Sequence, residues 1–268
     1  MCPIDKQFKK LRSQGQVAFM PFITAGDPNL EFTAELIKAL DSAGCSLIEL
    51  GFPYSDPIAD GPVIQESYTR ALQQKITVDD ILHMVQQVSK TISTPLVAMV
   101  SYAIVFRHGV QTFLEQAKTA GISGLIVPDL PWDESKELRS LCDQQDLSLV
   151  PLITPTTTAQ RMVEILQDAR GFIYYVSIAG ITGERTELPA ELADNLQQIR
   201  AQTDTPVCVG FGISQAEQAR GLTECADGVI VGSAIVRRIA QQATQDPDAT
   251  LQGVVNFSLE MMAALKRK

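Results

Sequence analysis

Glu49-Leu50-Gly51-Phe52-Pro53-Tyr54-Ser55-Asp56-Pro57-Ile58-Ala59-Asp60-Gly61-Pro62 joins two kinds of chain that cannot be one element. Its start continues the apolar run Ser46-Leu47-Ile48, which reads as a short strand buried on both faces. Glu49 lies inside that run, where a carboxylate is costly to bury. After Gly51, Pro53, Pro57 and Pro62 forbid regular structure. Asp60 sits within the resulting loop. One acid is thus carried by a strand and one by a loop. In apolar surroundings their pKa values can be pushed apart, as a general acid and a general base require. A purely structural reading weighs equally at this point: Asp60 turns the loop, and Glu49 pairs with a buried cation.

The same strand-loop-helix unit recurs on both sides of this stretch. Apolar runs at 17–23, 46–51, 95–100, 124–127, 147–153, 171–176, 206–209 and 228–231 read as strands. Ile4, Phe8 and Leu11 mark a short amphipathic helix over 3–14 that precedes them. Asp27-Pro28 reads as the cap and first turn of a helix ending at Gly44. Further helices are expected at 62–74, from Thr77 with capping-box spacing, and at 109–120, 133–145, 158–168 and 190–202. Others open at Ser214 and after Gly232-Ser233. The last, over 249–266, places Leu251, Val254, Val255, Leu259, Met262 and Leu265 on one face.

Eight apolar strands alternating with helices predict an α/β fold of parallel βαβ units. The count fits a (β/α)8 TIM barrel with an extra N-terminal helix and extra helices, one domain spanning 1–268. An open Rossmann or flavodoxin-like sheet fits less well, because no GxGxxG follows the first strand.

The net charge of −9 disfavours nucleic acid as a partner. Cys2, Cys45, Cys142, Cys208 and Cys225 are five in number, widely spaced and free of CxxC or Cys/His clustering. They predict neither a disulfide framework nor a zinc site, but small core residues in a reducing, cytoplasmic setting. The N-terminal residues start no signal peptide, and no apolar run approaches the length of a membrane span.

In a TIM barrel the active site lies at the C-terminal ends of the strands. That rule selects Phe22 and Thr24, Glu49 with Asp60, Tyr102, Asp129, and Tyr174 with Tyr175. Gly180-Ile181-Thr182-Gly183, Gly210-Phe211-Gly212-Ile213-Ser214 and Gly232-Ser233-Ala234 follow the last three strands. Backbone N–H groups at such turns, backed by helix N-termini, bind phosphate without lysine or arginine. The expected ligand is therefore a small phosphorylated molecule whose other end is flat and apolar, met by Phe22, Tyr102, Tyr174 and Phe211. Asp129 reads as support for its neighbours. His83, His108 and Trp132 read as packing or surface residues, and Arg237-Arg238 as a solvated helix face.

With these motifs in place the chain resembles the tryptophan synthase alpha chain family. The likeness runs through Pro21-Phe22-Ile23-Thr24-Ala25-Gly26-Asp27-Pro28, the Glu49–Pro57 stretch, and Ala59-Asp60-Gly61-Pro62-Val63-Ile64-Gln65. It continues in Val127-Pro128-Asp129-Leu130-Pro131, the two glycine turns at 180–183 and 210–213, and Val231-Gly232-Ser233-Ala234. The resemblance implies a carbon–carbon lyase that cleaves indole-3-glycerol phosphate to indole and glyceraldehyde 3-phosphate by a retro-aldol reaction. It implies Glu49 as the acid that protonates indole C3, and Asp60 as the partner of the indole N–H. Phe22, Tyr102, Tyr174 and Phe211 would meet the substrate, with Thr182, Gly183, Gly212, Gly232 and Ser233 at its phosphate end.

The implied partner is a pyridoxal-phosphate beta subunit in an α2β2 heterotetramer, with no cofactor in this chain itself. Two positions depart from the family pattern: Ile178, commonly arginine, and Ile104, often asparagine. Both fall near loops that close the site or meet the partner. A stand-alone lyase releasing free indole, or a regulatory sugar-phosphate-binding subunit, are the alternatives.

Overall fold

The computed structural model describes residues 2–58, 60–176, 191–210, 212–243 and 245–266. The chain opens with α1 (Pro3–Ser13), β1 (Ala18–Thr24), α2 (Leu30–Ala43) and β2 (Ile48–Gly51). Then come α3 (Pro62–Gln73), α4 (Val78–Val88), β3 (Leu96–Met99), α5 (Tyr102–His108), α6 (Val110–Ala120) and β4 (Ile122–Ile126). A 3-10 turn, Trp132–Glu134, leads into α7 (Lys136–Gln144), β5 (Ser148–Leu149), β6 (Leu152–Ile153), α8 (Ala159–Asp168) and β7 (Ile173–Val176). The rest is α9 (Leu192–Arg200), β8 (Val207–Gly210), α10 (Ala216–Gly221), β9 (Gly228–Val231), α11 (Ser233–Gln242) and α12 (Pro247–Ala264).

The strands pair in parallel in the order β5-β4-β3-β2-β1-β9-β8-β7-β6. The two ends of that order are halves of one segment, interrupted at Val150-Pro151 because proline has no N–H to give a ladder. The segment bonds to both neighbours. Val150 N–H donates to the Leu125 carbonyl at 2.8 Å, and Tyr174 N–H donates to the Pro151 carbonyl at 2.9 Å. Counted as one strand, it closes an eight-stranded barrel, as the alternation predicts, and the open-sheet alternative is excluded. β1 is buried at every position, which explains why it reads as apolar throughout rather than alternating.

The barrel floor is plugged by α1. Ile4, Phe8 and Leu11 pack with Met20, Leu47, Ile126, Phe172 and Cys208, and the Phe8 and Phe172 rings lie 5.8 Å apart. An 11-residue helix is marginal on its own. Burial of three large side chains, each contributing about 1.5–3 kcal/mol, holds it in place. All five cysteines are free and buried, as small core residues would be.

Four local expectations are corrected. Asn29, not Asp27, caps α2, its side chain accepting from Phe32 N–H at 2.8 Å, while Asp27 is engaged elsewhere. Tyr102–His108 forms a helix of its own, α5, ahead of the expected helix that here runs Val110–Ala120. The buried face of α12 carries Val254, Phe257, Met261 and Ala264, and Leu259 is 46% exposed. Arg238 is not a solvated residue: it lies over the Phe257 ring at 3.8 Å and donates to the Ala234 carbonyl.

Two contacts fix α3 against the end of β1, beside the loop that carries Asp60. Thr24 and Ser67 hydroxyls hydrogen-bond at 2.7 Å. Arg70 Nε and Nη2 donate to Asp27 Oδ1 and Oδ2 at 2.9 and 2.7 Å, and Asp27 is buried. Replacing Arg70 by Leu strands that carboxylate and is expected to cost about 1–3 kcal/mol. Urea unfolding would show a lower midpoint at unchanged slope. A midpoint equal to the parent's would mean the pair contributes no more than the exposed Lys38–Glu35 pair.

Candidate active site

Parallel strand order carries the C-terminal ends of the strands to one mouth of the barrel. β1 and β2 run in register with Phe22 opposite Glu49, so the phenyl ring and the carboxylate stand side by side. A cavity at this mouth is lined by Phe22, Glu49, Asp60, Ile64, Met99 and Tyr174 on its near walls. Val176, Gly210, Gly212, Ile213, Ile230, Gly232 and Ser233 complete it. A larger cleft of about 420 Å³ lies between Pro128–Trp132 and Thr154–Arg161. Its charges are already matched: Arg161 pairs with Asp133 at 3.0 Å, and Asp129 accepts from the Ser101 hydroxyl and Tyr102 N–H. Among the described residues, the buried carboxylate oxygens without a hydrogen-bond partner lie in the smaller cavity.

Glu49 is 3% exposed, and among the described residues neither of its carboxylate oxygens has a hydrogen-bond partner. Among those residues the cation partner of the structural reading is missing. Burial, and then the charge of Asp60, push its pKa up to about 8. Asp60 Oδ2 is likewise buried and unpartnered, and burial pushes that carboxyl up to about 6. The backbone of Asp60 is held firmly: its N–H donates to the Pro57 carbonyl at 3.0 Å, and its carbonyl accepts from Gln65 Nε2 at 2.7 Å. Near neutral pH these values leave one carboxylic acid and one carboxylate facing one cavity. That is the arrangement acid–base chemistry needs, and a structural ion pair would not produce it.

Tyr174 on β7 forms the adjacent wall. Burial, reinforced by the charges of Glu49 and Asp60, raises its phenol well above the ordinary range, so it stays a neutral donor. Its hydroxyl lies where a side chain on Gly210 would be, 2.6 Å from that Cβ position. A glycine is needed there for the ring to reach across β8.

Opposite the acids, α11 begins at the cavity. Gly232 is its N-cap and supplies no side-chain cap, and Gly232 and Ser233 both line the cavity, so the N-terminus of this ten-residue helix borders it. Such an end favours an anion.

The structure therefore brings together Phe22, Glu49, Asp60, Tyr174, Gly212, Gly232 and Ser233. Tyr102 stands apart from the cavity lining: it opens α5, its N–H is held by Asp129, and its ring packs on Phe106 at 6.2 Å. Thr182, Gly183, Phe211 and Ile178 lie outside the described residues. Ile104 packs against the core under α5. Ile64, Met99, Val176, Ile213 and Ile230 are wall residues that the sequence analysis does not single out for the site, although Ile64 and Ile213 stand within its motifs. Their signal was topological, since each lies at or just after a strand end or on the inner face of α3.

The fold and these residues match known proteins. The profile of the tryptophan synthase alpha chain family covers residues 8–266. The chain is 48% identical to the tryptophan synthase alpha chain of Rhodopirellula baltica, over 90% of this chain and 87% of that one. It is 46% identical to that of Synechococcus elongatus, over 100% and 98%. Among solved structures, the tryptophan synthase alpha chain of Legionella pneumophila aligns over 99% of this chain and 97% of its own at 40% identity, with a TM-score of 0.89. On the strength of this full-length agreement in sequence and fold, the chain belongs to the tryptophan synthase alpha chain family, lyases of tryptophan biosynthesis.

Proposed function

We propose that this chain cleaves indole-3-glycerol phosphate to indole and glyceraldehyde 3-phosphate, with Glu49 and Asp60 as its acid–base pair. The observation that carries the reading is the two carboxylates, unpartnered among the described residues, that share a cavity with a helix N-terminus. Glu49, held protonated by burial, gives its proton to indole C3. Positive charge then develops on the ring nitrogen, and the Asp60 carboxylate accepts the N–H and stabilises it. The bond from C3 to the glycerol carbon breaks, its electron pair returns to the ring, and the adjacent hydroxyl loses its proton to Glu49. The aldehyde leaves, and Glu49 is again protonated. Phe22, Ile64, Met99, Val176 and Ile230 suit the flat apolar ring.

At the other end of the substrate, the backbone N–H groups at Gly212, Gly232 and Ser233 meet the phosphate. We assign Thr182, Gly183 and Phe211 to the same substrate, and Tyr102 to the rim. The net charge of −9 makes such local N–H donors the means of holding a dianion.

The reading includes a pyridoxal-phosphate beta subunit as partner in an α2β2 assembly, in the cytoplasm, with no cofactor in this chain. Ile58, 92% exposed in the loop after β2, and Phe106, 68% exposed on α5, both lie on the face that holds the cavity. Exposed apolar side chains there suit a docking surface. Among the described residues no helix is long and apolar enough to cross a membrane.

The direct test is indole production from indole-3-glycerol phosphate by the purified chain, with and without a beta subunit. Turnover that rises on mixing supports the paired enzyme. Equal turnover points to a stand-alone lyase, and none under either condition removes the catalytic reading.

One substitution tests the geometry of the wall. In Gly210→Ala the new methyl would displace the Tyr174 ring, whose open side is the cavity. We expect KM for the substrate to rise about tenfold, a loss of about 1.4 kcal/mol in binding. The melting temperature should move little, because the ring shifts into open space. A large fall in melting temperature at unchanged KM would show that the ring cannot move that way.

A further inference from the structure

Gln65 is a polar side chain of α3 that the chemistry above leaves unused. It follows Ile64, which lines the cavity, and stands outside the lining itself. Helical side chains lean toward the N-terminus of their helix. That of Gln65 accordingly reaches back to the loop that leads into α3. Its Nε2 donates to two backbone carbonyls there, Asp60 at 2.7 Å and Pro57 at 3.2 Å. A side-chain amide carries two N–H hydrogens, and these two carbonyls take both. Turned the other way, the amide would set its oxygen against two oxygens, so the contacts fix which end faces the loop.

Pro57 and Asp60 are also joined directly, by the Asp60 N–H donating to the Pro57 carbonyl at 3.0 Å. They form one closed turn, and Gln65 fastens that turn to α3. Gly61, the N-cap of α3, has no side chain that could do so. The helix is in turn fastened to the end of β1. Ser67 meets Thr24 at 2.7 Å, and Arg70 holds Asp27 at 2.9 and 2.7 Å. A continuous set of hydrogen bonds thus runs from the barrel wall through α3 and Gln65 to the backbone of Asp60. The far end of that set, the Asp60 side chain, lines the cavity with Glu49 from β2 and Tyr174 from β7.

We infer that Gln65 is a positioning residue for Asp60: by holding the Pro57 and Asp60 carbonyls it sets where the Asp60 carboxylate stands in the cavity. This role rests on Asp60 acting in the reaction proposed above. Gln65 stands outside the cavity lining, so it reaches the reaction through the loop alone. A shift of about 1 Å in a catalytic group can cost on the order of 10²-fold in rate, so a tie made at the backbone is felt at the carboxylate.

The test is Gln65→Met, which keeps the length of the side chain and removes both donors. We expect kcat to fall about tenfold. The acid limb of kcat/KM should move to lower pH. Burial is what raises the Asp60 carboxyl, and a loop that leaves its place part of the time returns that carboxyl toward the ordinary range. Gln65→Glu is the second variant. It has the same length but sets an acceptor against two acceptors, so its loss should be at least as large. Gln65 is exposed, and both variants should melt close to the parent. In the Asp60→Asn background neither change should lower kcat further.

Parent-like kcat in both variants, an acid limb that stays in place, or a loss that persists in Asp60→Asn would overturn the inference. A lower melting temperature with an unmoved limb would do the same, leaving Gln65 as a contact at the helix start. If Asp60→Asn by itself turns over at the parent rate, the role of Asp60 fails and the positioning role falls with it. A slow Asp60→Asn beside parent-like Gln65 variants removes the positioning role alone.

Discussion

Glu49→Gln is expected to lower indole release by about 10²–10⁴-fold, with little change in KM. The amide has the size and shape of the acid but cannot deliver a proton to indole C3 or take one from the hydroxyl. Because Glu49 is buried and has no hydrogen-bond partner among the described residues, the change removes no structural bond there. A stability measurement separates this loss from misfolding. Burial raises the Glu49 pKa in the folded chain to about 8, above its value in the unfolded chain. Folded protein therefore holds its proton over a pH range in which unfolded protein has released it. The parent loses stability as pH rises through that range, up to about pH 8, and is level beyond it. Glu49→Gln has no such term. Its melting temperature relative to the parent should climb between about pH 5 and pH 8. Parent-like turnover would end the assignment of Glu49. A relative stability that does not change with pH would show that Glu49 titrates in the folded chain as it does in water.

The barrel was readable because each strand is an apolar run, and most of these runs have a glycine or proline at one end. The 147–153 run was read as one strand, although its hydrogen-bond ladder breaks at Val150-Pro151; the proline that breaks it is also visible in the sequence. Helix starts were less legible. Asp27-Pro28 has the composition of a cap, but composition cannot show that Arg70, on another helix, holds the Asp27 carboxylate. The face of α12 was misjudged for a similar reason. Its side chains are apolar nearly all round, so periodicity alone does not choose between Leu259 and Phe257, and contact with α2 and α11 does. At the site, Glu49 stood out as a charge inside an apolar run. Ile64 did not, because an apolar residue on a helix looks the same whether it faces a core or a cavity. Ser101, Tyr102 and Asp129 follow neighbouring strands, yet the structure joins them to one another rather than to the cavity.

Asp60→Asn should be the second largest loss, about 10²-fold or more in kcat, and its effect on the pH profile is more telling than its size. In the proposed reaction Asp60 acts ionised and Glu49 protonated. Asp60 sits at about 6 and Glu49 at about 8, so kcat/KM should follow a bell with limbs near those values. The basic limb is not a property of Glu49 alone, since the charge of Asp60 acts on it. Removing the Asp60 charge removes one of the two influences that raise Glu49, the second after burial itself. The acid limb should therefore vanish in Asp60→Asn, and the basic limb should move to lower pH. A mutation that merely loosened the loop would lower the whole curve without moving either limb. A basic limb that stays in place would mean that the two carboxylates do not feel each other, and that Asp60 faces some other part of the molecule when substrate is bound.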